Sequence, residues 1–318
     1  MLKTEIQRST QQKFSQNAIN WEDIPDKRPL DYVYALMSKQ VYEGSKLQKG
    51  DTLSSDDYTK WKIEEVVYDI NSEYFGAIYV NRQDNWIVVA HRGTNTLKAC
   101  MADLEGIYLN KFTRQKQVVY ELVDRAIKLA KDKEFNLSFT GHSLGAFLAE
   151  LSVFYCYSKF EFPYVHAVTF ESPGSEESLK ALESHMEAER VTFSELDVVG
   201  YVSYPNIINT CNHHIGSLYQ VEPLLSDHSQ YFSSWYQYTE QAHSIDRIVK
   251  VFENGKIGRP LRLQYLHDWP MGNQRKKFFE IAKLNEDGTY TLSEDLSAQK
   301  QFILDCQAHH SFNHSLCT

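Results

Sequence analysis

Gly141-His142-Ser143-Leu144-Gly145-Ala146-Phe147-Leu148-Ala149-Glu150, or GHSLGAFLAE, is the stretch that decides how this chain reads. Its first five residues fit G-x-S-x-G, the pattern of a nucleophile elbow, in which a serine sits on a sharp turn between a strand and a helix. Such a turn leaves little room for side chains two residues either side of the serine, which explains Gly141 and Gly145. The flanks agree. Asn136 to Thr140 (NLSFT) predicts a short strand, and the apolar run from Ala146 predicts a helix.

Upstream, Asp31 to Tyr42 spaces Val33, Leu36, Met37 and Val41 as one helical face, with Asp31 placed to cap it. Trp61 to Tyr68 and Phe75 to Val80 are β-branched and aromatic, and Trp86 to Ala90 (WIVVA) has the unbroken apolar character of a buried strand. Gln115 to Lys131 is amphipathic, with Val119, Leu122, Ala126 and Leu129 on one face. A β-α-β order around the elbow predicts a parallel sheet. Downstream, Tyr164 to Phe170 reads as a buried strand closed by Glu171-Ser172-Pro173-Gly174, and Arg190 to Phe193 as a further short strand. His228 to Gln241 reads as a polar-aromatic loop ahead of a helix ending near Phe252.

Immediately after WIVVA come His91-Arg92-Gly93-Thr94, then Asp103-Leu104, then the elbow. A hydrophobic strand running into R-G-T, an acidic D-L pair and G-H-S-L-G together resemble the class 3 (fungal-type) lipases. His91 departs from the phenylalanine common at that place. The resemblance covers about Asp31 to Phe252. It implies an α/β-hydrolase fold, a central mostly parallel sheet flanked by helices, and hydrolysis of the carboxylic esters of lipids without a cofactor. On that reading 1–29 is a polar arm, 30–259 the hydrolase domain and 260–318 a C-terminal extension packed on or near it. The segment 96–110 stands where family members carry a lid.

A serine hydroxyl is unreactive without a histidine base, and the base needs an orienting acid. The resemblance implies Ser143, Asp197 and His243 in those roles, in the chain order that this fold uses. Asp197 precedes an apolar pair, as the family's acid does, while Asn206 is a second candidate in a neighbouring slot. His228 competes with His243. Thr94 and Leu144 would supply oxyanion-hole N–H groups. Tyr231, Phe232, Trp235, Tyr236 and Tyr238 offer either an acyl-binding surface or packing for an insertion.

Composition narrows the alternatives. A net charge of −9 with no basic block argues against nucleic acid as a partner. The five cysteines are scattered and odd in number, which fits a reduced compartment better than a disulfide scaffold. Neither Cys211-Asn212-His213-His214 nor the Cys306-x-x-His309 run repeats the paired spacing of a zinc site. The N-terminus lacks the apolar stretch of a Sec-type signal, and no run is long enough to span a bilayer. The expectation is a soluble protein, cytoplasmic or exported by another route, whose partners are an ester substrate and at most a lipid interface. Two other readings remain: a lipase-like scaffold without catalysis, and a serine acyltransferase or deacylase.

Overall fold

The computed structural model describes residues 29–53, 58–94, 113–158, 165–183, 193, 196–221 and 235–256, with short strands at 263–265, 282–284 and 290–292. The N-terminal arm, the 96–110 segment, Asp103, His228, Tyr231, Phe232 and most of the extension lie outside the described residues. So do residues 190–192 of one expected strand and the side chains of Trp235, Tyr236 and Tyr238.

The strand β1 (Trp61–Asp69), β2 (Tyr74–Asn81), β3 (Trp86–His91), β4 (Asn136–His142), β5 (Val165–Phe170), β6 (Val198–Val202), β7 (Ser217–Val221) and β8 (Leu263–Tyr265) form one sheet, side by side in chain order. Neighbours from β1 to β3 are antiparallel, β3 to β7 run parallel, and β8 returns antiparallel to β7. Thus part of the expected extension adds a strand to the main sheet. A separate hairpin pairs β9 (Ala282–Leu284) with β10 (Tyr290–Leu292).

Parallel strands need crossover helices, and successive crossovers of one hand stepping in one direction place those helices on the same face. α2 (Thr113–Lys133), α3 (Leu144–Ser158) and α4 (Glu176–Glu183) follow β3, β4 and β5 in that way. The pleat then sorts each strand by parity. Ile87 and Val89 pack with Leu122, Phe147 and Leu151 on the crossover face. Val88 and Ala90 point the other way, onto Leu36 and Met37 of α1 (Asp31–Gln40) and Ile248 and Phe252 of α6 (Ile245–Lys256). Because both faces are covered, β2, β3 and β5 are buried along their whole length. That explains their unbroken apolar sequences. This is an α/β-hydrolase architecture, a mixed sheet between helical layers with the Ser143 turn at its centre.

Two local expectations change. Asp31 does not cap α1, whose N-cap Leu30 makes no side-chain bond; its carboxylate accepts instead from the Tyr201 hydroxyl. The segment before His243 is helical from Trp235 to Ala242 (α5) and not a loop through Gln241.

Candidate active site

The elbow forms as its sequence requires. Ser143 has φ +61°, a left-handed conformation rare for a side chain other than glycine. That strain is held by the surroundings. A Cβ on Gly141 would overlap the backbone of Gly145, and one on Gly145 would overlap the carbonyl of His91. Ser143 N–H donates to the Phe170 carbonyl at 2.9 Å, which ties the turn to the end of β5. Leu144 opens α3, so its N–H belongs to the helix's first, internally unpaired turn.

Gly93, the residue before Thr94, lies against the serine. A Cβ on Gly93 would stand 3.1 Å from the Ser143 Cβ, so the chain after β3 is pressed against the elbow. Thr94 thus follows the end of β3 and Leu144 the end of β4, the two strand ends that meet at Ser143.

His243 is fixed between α5 and α6 at both backbone ends. Its N–H donates to the Thr239 carbonyl at 2.8 Å, and its own carbonyl accepts from His142 Nε2 at 2.7 Å. The Ser203 hydroxyl donates to the carbonyl of Ala242 just before it. His142 is in turn set by Tyr42, whose hydroxyl lies 2.8 Å from His142 Nδ1. Burial, together with the neighbouring His243, keeps the His142 pKa well below the ordinary histidine value. A neutral ring that donates from Nε2 accepts at Nδ1, so the Tyr42 hydroxyl is the donor there. The rings of His142 and His243 lie 4.6 Å apart. The residue before Ser143 thus touches the candidate base.

His243 Nδ1 lies 3.2 Å from Glu171 Oε2, and that carboxylate is fully buried. A carboxylate can only accept, so Nδ1 carries a proton there, which leaves Nε2 as the nitrogen free to exchange one. Nε2 is buried and has no hydrogen-bond partner among the described residues.

Glu171 follows the last residue of β5 and also has a positive φ, +52°. Its Oε2 accepts from Asn206 Nδ2 at 2.8 Å and Asn209 Nδ2 at 2.9 Å. Its Oε1 accepts from the Ser203 N–H. The two amides have fixed orientations, because each oxygen is committed elsewhere. Asn206 Oδ1 accepts from the N–H groups of Ile208 and Asn209, and Asn209 Oδ1 from the N–H of Asn206. His214 Nε2 donates to the Asn209 carbonyl at 2.8 Å and buttresses the same turn.

Asp197 stands elsewhere. The strand that matters is Val198–Val202, so Asp197 enters a strand instead of leaving one. Register aligns Val198 with Ala167, and Ala167 with Phe139, four residues before Ser143. At about 3.3 Å per residue, that is roughly 13 Å down the sheet from the serine. Asp197 is also exposed. Asn206, the other candidate, binds the glutamate and not the histidine. The structure brings Ser143, Thr94, Leu144 and His243 to one edge, adds Glu171 and leaves Asp197 at the other.

His91, the departure from the family pattern, is a packing residue. It is buried, its Nδ1 lies 2.7 Å from the Tyr74 hydroxyl, and its Nε2 lies 3.1 Å from Ser152 Oγ. Burial pushes its pKa down to about 3, so it is neutral. Arg92 places its guanidinium over the Phe75 ring at 5.2 Å. Among the described residues no helix is long and apolar enough to cross a membrane.

Residues 88–204 match the lipase (class 3) family. An uncharacterized protein of Rickettsia prowazekii (strain Madrid E) is 27% identical over 180 residues, 52% of this chain and 48% of that protein, so the chain spans about half the length of the curated relative it matches. Among solved structures, the mono- and diacylglycerol lipase from Aspergillus oryzae superposes with a TM-score of 0.45 at 15% identity, covering 62% of this chain and 78% of that one. A Rhizomucor miehei lipase propeptide complex gives 0.45 at 15%, covering 60% and 66%. The segment 88–204 that is similar to the class 3 lipase family holds most of β3, the elbow and Glu171.

Proposed function

We propose that the protein is a serine hydrolase acting on carboxylic esters of lipids. The observation that carries this reading is the strained Ser143 elbow set against a buried His243 whose Nε2 has no partner among the described residues. His243 takes the Ser143 proton through Nε2 as the serine oxygen attacks the ester carbonyl. The N–H groups of Thr94 and Leu144 receive the oxyanion, an effect typically worth about 3 kcal/mol for one donor. The protonated His243 then gives its proton to the leaving alcohol. Water, activated by the same histidine, releases the acid from the acyl-serine.

The lipid character of the substrate rests on the family alone. A fluorophosphonate probe tests the chemistry: the wild type should be labelled, Ser143→Ala should not, and hydrolysis of a soluble short-chain ester should vanish with the label. A folded wild type that takes no label contradicts the reading. A panel of neutral glycerides and phospholipids, with released fatty acid as readout, then assigns the substrate; acyl transfer to an added alcohol without release to water would indicate a transferase instead.

A further inference from the structure

We propose that Glu171, at the exit of β5, is the acid partner of His243 in place of Asp197, and that Asn206 and Asn209 form a two-amide clamp that holds it. The assignment rests on the serine-hydrolase reading above and changes which strand supplies the third member of the triad.

Three independent parts of the chain converge on this carboxylate. His243 Nδ1 is 3.2 Å from Oε2, the two asparagine amides donate to the same oxygen, and the Ser203 amide donates to the other. A fully buried carboxylate without such donors would be costly to keep charged; here four N–H groups face it. Each donor is itself anchored. Asn206 and Asn209 exchange side-chain-to-backbone bonds across one turn, and the Ser203 carbonyl accepts from Gln220 Nε2. The cradle is therefore built before any substrate arrives, and it uses the lone pairs of Glu171 so that Nδ1–H of His243 has one well-defined acceptor.

The consequence for the reaction is tautomer control. With Nδ1–H held by Glu171, Nε2 is the lone-pair nitrogen, and the positive charge that develops on the ring after proton transfer faces a carboxylate at hydrogen-bonding distance. Asp197 can do neither from the far end of β6. Glu171 acts through His243 and is a positioning residue.

Paired substitutions separate the two carboxylates. Glu171→Gln should lower kcat for a soluble ester by about 10³- to 10⁴-fold with KM little changed, as loss of a triad acid does through the wrong tautomer. Asp197→Asn should stay within about threefold of wild type. Glu171→Asp, with the carboxylate drawn back by one methylene, should recover part of the loss. A misplaced acid predicts this split between kcat and KM and this partial rescue; a merely structural role does not. Circular dichroism reports folding. Should Glu171→Gln fail to fold, Glu171→Asp decides: a folded protein with reduced kcat and unchanged KM supports the assignment, and one with wild-type kcat overturns it. Collapse of kcat in Asp197→Asn, or wild-type kcat in folded Glu171→Gln, overturns it also. A wild type that takes no fluorophosphonate label defeats the serine-hydrolase reading itself, and a labelled wild type with Glu171→Gln undiminished defeats only this assignment.

Discussion

The two ends of the parallel sheet are built differently. At the exit edge, where β3, β4 and β5 finish, polar groups are buried and bonded to one another: His91, His142, Ser143, Glu171, Asn206, Asn209 and His243. Two of the residues there, Ser143 and Glu171, have left-handed backbones. At the entry edge Asp197 is exposed, and the acidic side chains around β1 form surface ion pairs such as Lys60–Asp84 and Arg82–Glu64. Exposed pairs of this kind contribute about 0–1 kcal/mol each. Buried polar groups are expensive unless every partner is present. The exit edge is where the fold has invested in polar precision, and chemistry is expected there.

The largest effect that would break this contrast is at the elbow. Ser143→Ala should reduce ester hydrolysis by about 10⁵-fold or more, on the scale of nucleophile loss in serine enzymes. Gly145→Ala should be nearly as damaging for another reason. The new Cβ would meet the His91 carbonyl and the backbone after it, so expression and folding should fail before kinetics can be read. A soluble, active Gly145→Ala would mean that β3 and the elbow are not packed as described.

Asn209→Ala sharpens the contrast at intermediate size. It removes a donor from Glu171 and leaves the Asn206 N–H without its acceptor. Activity should fall about 10- to 100-fold, the scale of lost partners around a site, with about 1–3 kcal/mol of stability lost in urea unfolding. Asn71→Ala, on the exposed β1–β2 turn, should do neither.

Furthest from the reaction itself is the pH dependence of stability. His91, pushed down to about 3 by burial, and His142 and His214, also lowered mainly by burial, are neutral in the folded protein near pH 7. Once unfolded, each binds a proton below about pH 6.5. The unfolded state then holds more protons, so stability falls as pH drops below about 6.5, by up to about 1.4 kcal/mol per pH unit for each such histidine. For His91 the loss continues toward pH 3. Glu150 runs the other way. Burial raises its carboxyl to about 7, so above pH 4.5 the unfolded chain ionises it first and folding is weakened until about pH 7. Glu150→Gln should raise the urea midpoint at pH 8 and leave it little changed at pH 4.5. Equal shifts at both would place Glu150 in a solvated setting.

Much of this was legible from sequence. WIVVA as a buried strand, the amphipathic helix now seen at Thr113–Lys133, and strand–turn–helix around Ser143 each follow from local periodicity and glycine placement. Glu171 was not, although a charge directly after the apolar run VHAVTF was a signal that burial would need partners. Its partners come from residues 203–209 and 243, more than 30 positions away, and no local pattern announces that convergence. Asp197 looked suitable because an acid beside Val198-Val199 is a local motif. Placing the strand at Arg190 to Phe193 put that acid at an exit, whereas the strand at Val198–Val202 makes it an entry. One shift along the chain moved the candidate from one end of the sheet to the other.

The most direct test is the second-order rate of inactivation by a fluorophosphonate, measured side by side for wild type, Ser143→Ala, Glu171→Gln and Asp197→Asn. Wild type and Asp197→Asn should label rapidly, Ser143→Ala not at all, and Glu171→Gln at a rate lowered by at least about 100-fold. Slow labelling of Asp197→Asn alongside a wild-type rate in Glu171→Gln would contradict the assignment of Glu171.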